Sequence, residues 1–208
     1  MESGWLAMAK RLQALAATGQ SFTRCQYDLE RYQEIEAIAL RMLSELGSVP
    51  LATVQGLFAE GDTGYVTPKV EVRGAVIRDG KILLVQEKED GHWAMPGGYA
   101  DVGFSAAENV EKEVLEEAGL VVKAKQLYAL RHKARGQYPP DSRDFYKLHF
   151  LCECIEPSAT PMPGTETVKA AFFAPDALPP LSQGKNLSED IYAALAFAET
   201  GNGIPWFD

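Results

Sequence analysis

MPGGYADVGFSAAENVEKEVLEEAGL, residues 95–120, is the stretch on which the reading of this chain turns. A glycine-rich loop, 97–103, runs into a helix that Ser105 can cap, because a serine oxygen there accepts a hydrogen bond from an otherwise unpaired first-turn amide. At about 100° per residue, Ala107, Val110, Val114 and Ala118 form a stripe to be buried. Glu113, Glu116 and Glu117 gather beside it within an arc of roughly 100°. Like charges three and four residues apart cost an isolated helix a few tenths of a kcal/mol. A hard divalent cation reverses that cost, since carboxylate oxygens are the ligands Mg2+ and Mn2+ prefer. The plain alternative is an acidic, solvated face, with Glu108 and Lys112 supporting it as an i,i+4 pair.

Outward from this stretch the chain mixes strands and helices. Upstream, apolar runs at 70–77 and 81–86 flank Asp79-Gly80 and predict a hairpin. Downstream, strands are predicted near 121–131, 145–155 and 167–174, and a last helix from Ser188 to Gly201. There is no regular βαβ alternation, so the class is α+β with a mixed sheet. Before residue 64 the pattern is helical: a helix over 4–18 stopped by Gly19, a second capped by Asp28 and ended at Gly47, and a third opened by Pro50. The turn cluster at 61–64 then separates a small all-helical N-terminal domain, 1–63, from a main domain, 64–208. Trp5, Leu12, Ile35, Met42, Leu46 and Phe58 are more apolar surface than three short helices can hide. A domain of roughly 60 residues buries only about 60% of its unfolded surface. Twofold pairing is the usual way to cover the remainder, so a homodimer is expected.

The 208 residues are 46% hydrophobic, which suits a folded chain, and the net charge of −9 repels polyanions. Nucleic acid is therefore not expected as an obligate partner. No run approaches the roughly 18 apolar residues of a membrane span. The start lacks the basic region and apolar stretch of a signal peptide, and the three cysteines, Cys25, Cys152 and Cys154, read as reduced thiols, which predicts a cytoplasmic protein. His92, His132 and His149 are scattered, with no metal-ligand spacing among them.

The spacing of residues 98–120 resembles the Nudix box: Gly98, Glu113, Val114, Glu116, Glu117, Gly119 and Leu120 all stand in its register. Phe104 occupies the place of the box's first glutamate and Lys112 that of its arginine. In the family those two side chains brace the loop against the helix, so both departures fall on one contact. Further segments, YDLERY (27–32), VTPKVEVRG (66–74), GGYADVG (97–103), YKLHFLCE (146–153) and LPPLS (178–182), are similar to the bacterial CDP-choline and ADP-ribose pyrophosphatase branch of the family.

The resemblance implies a Nudix-type mixed sheet flanked by helices, an α/β/α sandwich. It implies metal-dependent hydrolysis of the pyrophosphate bond of a nucleoside diphosphate derivative, CDP-choline or ADP-ribose, releasing a nucleoside monophosphate. Gly97, through its carbonyl, and Glu113, Glu116 and Glu117 match the family's ligands for Mg2+ or Mn2+. The general base is Glu166, on the loop before a late strand, or Glu113 itself. Arg73, Tyr99, Phe104, Arg131 and Lys147 are candidate substrate contacts. The two cations among them at 131 and 147 bound a segment with five basic and two acidic residues. The competing reading, motivated by Phe104 and Lys112, is a nucleotide-sensing module of weak catalytic power.

Overall fold

A computed structural model describes residues 3–59, 64–201 and 203–208; of the predicted boundary turn, 61–63 lies outside the described residues. The chain divides into two compact units, Met1–Lys69 with Ala134–Phe145, and Val70–Lys133 with Tyr146–Asp208.

In the first unit, α1 (Gly4–Phe22) is capped by Ser3, whose hydroxyl accepts the Leu6 N–H at 3.2 Å. The helix does not stop at Gly19. A Cβ there would lie 2.6 Å from the Tyr32 ring, so this glycine serves close approach by α2 (Gln26–Gly47) instead of termination. The second helix begins ahead of Asp28, which pairs with Arg31 at 2.7 Å and caps nothing. It ends as predicted at Gly47, where Ser48 turns left-handed (φ 51°). After Pro50 comes α3 (Leu51–Ala59). Leu6, Ala9, Leu40, Leu43 and Val54 form the core of this unit, with Met42 and Phe58 against it. Trp5, Leu12, Ile35 and Leu46 stay exposed, Trp5 by 66%. The loop 134–145 belongs here through Asp144, which receives Lys10 Nζ at 2.6 Å and the Lys69 N–H at 2.9 Å.

The second unit is built on a sheet of β1 (Lys69–Arg78), β2 (Lys81–Glu87), β3 (Trp93–Ala94), β4 (Val122–His132), β5 (Phe145–Cys154), β6 (Thr167–Phe173) and β7 (Trp206–Phe207). The order is β3-β2-β1-β5-β4-β7, and β6 pairs with β2. At the predicted hairpin Asp79 and Gly80 both take positive φ, 50° and 69°, which matches the turn to the twist of its strands. Alternation sends Val72, Val76, Leu83 and Val85 to one face, where Val110, Val114 and Ala118 of α4 (Ala106–Ala118) cover them. Each such valine contributes about 1.5–3 kcal/mol through burial. Ala75, Ile82 and Leu84 point to the other face, onto Ile191, Ala194 and Phe197 of α5 (Ser188–Thr200). This is the predicted α/β/α layering. Two-residue β7, parallel to β4 at Ala129 and Leu130, carries no turn or alternation signal and is not foreseen by the sequence.

Candidate active site

The glycine loop is fastened to β1 before it meets the helix. Val72 and Gly74 donate to the carbonyls of Gly98 and Pro96 at 2.9 and 2.8 Å, and Ala100 donates to Val70 at 2.9 Å. The Met95 peptide is gripped at both ends: Asn186 Oδ1 accepts its N–H at 2.8 Å, and Arg73 Nη1 donates to its carbonyl at 3.2 Å. At Gly97 (φ 150°) a Cβ would sit 2.1 Å from the Val72 carbonyl, and at Gly98 it would sit 2.9 Å from Glu113 Oε1. Gly97 is therefore a steric requirement of the backbone, whereas a side chain at Gly98 would displace the Glu113 carboxylate.

Ser105 starts α4 with a full capping box: its hydroxyl accepts the Glu108 N–H, and Glu108 accepts the Ser105 N–H at 2.8 Å. Glu108 is thus spent on the cap and not on Lys112, the pair that the alternative of a solvated acidic face would use. Lys112 reaches Asp101 Oδ2 at 2.7 Å and lies 3.7 Å from Glu116. Beneath that contact Asn109, 1% exposed, accepts the Asp101 N–H at 2.9 Å and donates to the carbonyls of Asp101, Phe104 and Ser105. The loop is braced after all, by Asp101 where the box pattern would use residue 104.

Along the same helix Glu117 turns inward and accepts the Gly97 N–H at 2.8 Å. Burial pushes its carboxyl up to about 7; Arg73 and the Gly97 N–H oppose the rise, while Glu87 and Glu113 add repulsion. Glu113 is half-buried and is also raised, first by burial and then by Glu116 and Glu166, against the pull of Arg73 and Lys112. Glu166 is exposed on the loop just before β6. That loop is tied to the end of α4, for Thr167 Oγ1 donates to the Glu117 carbonyl at 2.8 Å and Met162 N–H to Ala118 at 2.8 Å. Glu113, Glu116, Glu117, Glu166 and Arg73 therefore act on one electrostatic neighbourhood. Among the described residues no three His, Cys, Asp or Glu groups stand close enough together to hold a metal ion as they are oriented here. Glu117 faces a backbone amide and Glu116 faces Lys112, so closing on a cation requires side-chain rotation.

Tyr99 and Phe104 lie on the loop, 48% and 54% exposed. Arg131 pairs with buried Asp190 at 2.7 Å and stacks over Trp206. Lys147 is fully buried, bonded to Glu71 and to the Lys185 carbonyl. Burial lowers its pKa to about 8 against the pull of Glu71. Both cations are held in ion pairs within the fold, Arg131 with Asp190 and Lys147 with Glu71. In the same segment Arg143 is held by Asp141 and lies over Phe145.

A family model described as "NUDIX domain" matches residues 68–195, and one described as "UDP-X-like, N-terminal oligomerisation domain" matches residues 3–58. The chain is 38% identical, over 95% of its length and 93% of the relative's, to the Bacillus subtilis (strain 168) protein named "Putative ADP-ribose pyrophosphatase YjhB". It is 32% identical to the ADP-ribose pyrophosphatase of Methanocaldococcus jannaschii over 57% of this chain and 69% of that one. Among solved structures, an ADP-ribose pyrophosphatase from Streptococcus suis is 37% identical with a TM-score of 0.59, covering 68% of this chain and 100% of its own. A UDP-X diphosphatase is 30% identical with a TM-score of 0.62, covering 98% of each chain.

Proposed function

The chain belongs to the Nudix hydrolase family, and from that premise we propose that it splits the pyrophosphate bond of a nucleoside diphosphate derivative, ADP-ribose or CDP-choline, with Mg2+ or Mn2+. The observation that carries this reading is the apposition of Gly97-Gly98 to two carboxylates, half-buried Glu113 and buried Glu117, both raised from the ordinary carboxylate value chiefly by burial. The Gly97 carbonyl and the oxygens of Glu113, Glu116 and Glu117 form an all-oxygen donor set, which suits a hard divalent ion. Such an ion, when bound, neutralises phosphate oxygens and acidifies the attacking water.

The chain's own residues do the rest. Water adds to one phosphorus and the bridging P–O bond breaks, so a nucleoside monophosphate leaves and the second phosphate stays on the other product. Glu166 or Glu113 takes the proton from the water. Arg73 holds the loop at Met95 and offsets the charge of the glutamates. Tyr99 and Phe104 offer ring faces to base or ribose. ADP-ribose is supported by the names of the relatives, and CDP-choline by the likeness of the flanking segments to that branch. The Asp101–Lys112 contact, which ties the loop to the helix where the box pattern departs, supports the enzyme reading over a sensing module of weak catalytic power.

The exposed Trp5, Leu12, Ile35 and Leu46 support a homodimer formed through an N-terminal domain, 1–63, with the catalytic domain at 64–208. The three free cysteines support action in the cytoplasm. Among the described residues no helix is long and apolar enough to cross a membrane. Product identification by mass spectrometry over ADP-ribose, CDP-choline and nucleotide sugars tests the assignment. A nucleoside monophosphate from ADP-ribose or CDP-choline is expected. Turnover confined to another compound class would refute the substrate assignment.

A further inference from the structure

Glu87, the last residue of β2, is only 4% exposed. Lys185 Nζ lies 2.7 Å from its Oε2, while its Oε1 is buried with no hydrogen-bond partner among the described residues. A buried acceptor left open is costly, and more so when charged, so a stable fold has reason to fill or remove it. The place of Glu87 explains what could fill it. In the β2–β6 ladder the register shifts between Gln86 and Glu87, which sets Glu87 opposite Thr167 and skips Val168. Irregularities of this kind re-aim side chains beside active sites. Thr167 holds the Glu117 carbonyl through its hydroxyl, and the neighbouring Lys88 N–H donates to the Glu166 carbonyl at 3.3 Å. Glu87 thus stands at the junction of the two segments that carry Glu117 and Glu166, and its charge bears on Glu117.

We propose that Glu87 is a fourth carboxylate of the cation site, its open Oε1 acting with Glu113, Glu116 and Glu117 on a bound divalent ion, while Lys185 is a positioning residue that holds its other oxygen. The idea rests on the metal-dependent reading given above. It adds a residue outside the helix and outside the box pattern. It also gives a use to an acid that the fold otherwise buries beside Glu117.

The test titrates Mn2+ alone into chelator-stripped full-length protein, with free Mn2+ read by electron paramagnetic resonance. Circular dichroism and the thermal midpoint serve as controls of folding. Glu87→Gln keeps the volume and is expected to weaken Mn2+ binding at least tenfold or to lower the stoichiometry by one ion. Glu153→Gln, which removes an equal charge from an exposed pair with Lys125, is expected to leave binding unchanged. If Glu87→Gln does not fold, Glu87→Asp keeps the charge but draws the carboxylate back by one bond, and the same loss is expected. Wild-type affinity and stoichiometry in the folded variant would overturn the proposal while leaving the family reading intact. A wild-type protein that binds no Mn2+ would overturn the metal reading itself, and this proposal with it.

Discussion

Replacing Glu117 with glutamine separates what this site costs the fold from what it gives to catalysis. The side chain is 5% exposed and its carboxyl is raised from 4.5 to about 7, chiefly by burial. A folded pKa above the unfolded one means that the native state binds more protons between those values. The metal-free protein therefore loses stability as pH rises from about 4.5 to 7. At about 1.36 kcal/mol per pH unit the full effect is about 3 kcal/mol above pH 7. Glutamine removes the charge, keeps the volume and still presents an oxygen to the Gly97 N–H, though as a weaker, uncharged acceptor. A net gain of about 1–2 kcal/mol at pH 8 remains after that weakening. For a chain of this length each kcal/mol moves the thermal midpoint by about 2–4 °C. Calorimetry in excess chelator should thus show Glu117→Gln melting about 2–8 °C above wild type at pH 8, with the difference gone near pH 4.5. With metal and substrate present, turnover should fall by about three orders of magnitude or more, since a charged oxygen is lost from the cation's donor set. Wild-type turnover, or a midpoint change that does not depend on pH, would refute the reasoning.

Other substitutions address the brace, the helical unit and its partner. Phe104→Glu with Lys112→Arg offers the box pattern's own pair to a loop already tied through Asp101 and removes an exposed ring, so KM should rise without a gain in kcat; steady-state kinetics decides this, and a higher kcat at unchanged KM would contradict it. Gly19→Ala places a methyl 2.6 Å from the Tyr32 ring and should destabilise the α1–α2 pair by about 1–3 kcal/mol, read from chemical denaturation; a neutral effect would show that Tyr32 yields easily. Light scattering on the intact chain should give twice the monomer mass, and a chain beginning at Gly64 should be monomeric or aggregate; a stable 22.8 kDa species from the intact chain at micromolar concentration would exclude the dimer.

Local chemistry was legible where neighbours in sequence are neighbours in space. Asp79-Gly80, the Ser105 cap and the Val110–Val114–Ala118 stripe depend on residues within a turn or two, and all three appear where periodicity puts them. Gly19 misled because a missing side chain says nothing about whether the gap ends a helix or admits a ring; Tyr32 decides that from the next helix. Charge counting does not reveal the ion pairs of Lys147 and Arg131, whose partners Glu71 and Asp190 arrive from a distant strand and helix. Asn109 and Asn186, each holding the glycine loop through backbone groups, carry no sequence signal, since an asparagine that grips a main chain looks like any other polar residue. The same holds for Glu87, whose partners Lys185 and Thr167 come from distant segments.

The central claim is that the carboxylates of α4, set against Gly97-Gly98, hold a divalent cation that drives phosphoanhydride hydrolysis. Its most direct test is phosphorus NMR of ADP-ribose and CDP-choline incubated with chelator-stripped protein, before and after Mg2+ or Mn2+ is restored. No reaction is expected without metal, and on its return at least one substrate's pyrophosphate signals should convert into two phosphomonoester signals. Unchanged pyrophosphate with either metal, or equal hydrolysis in excess chelator, would contradict it.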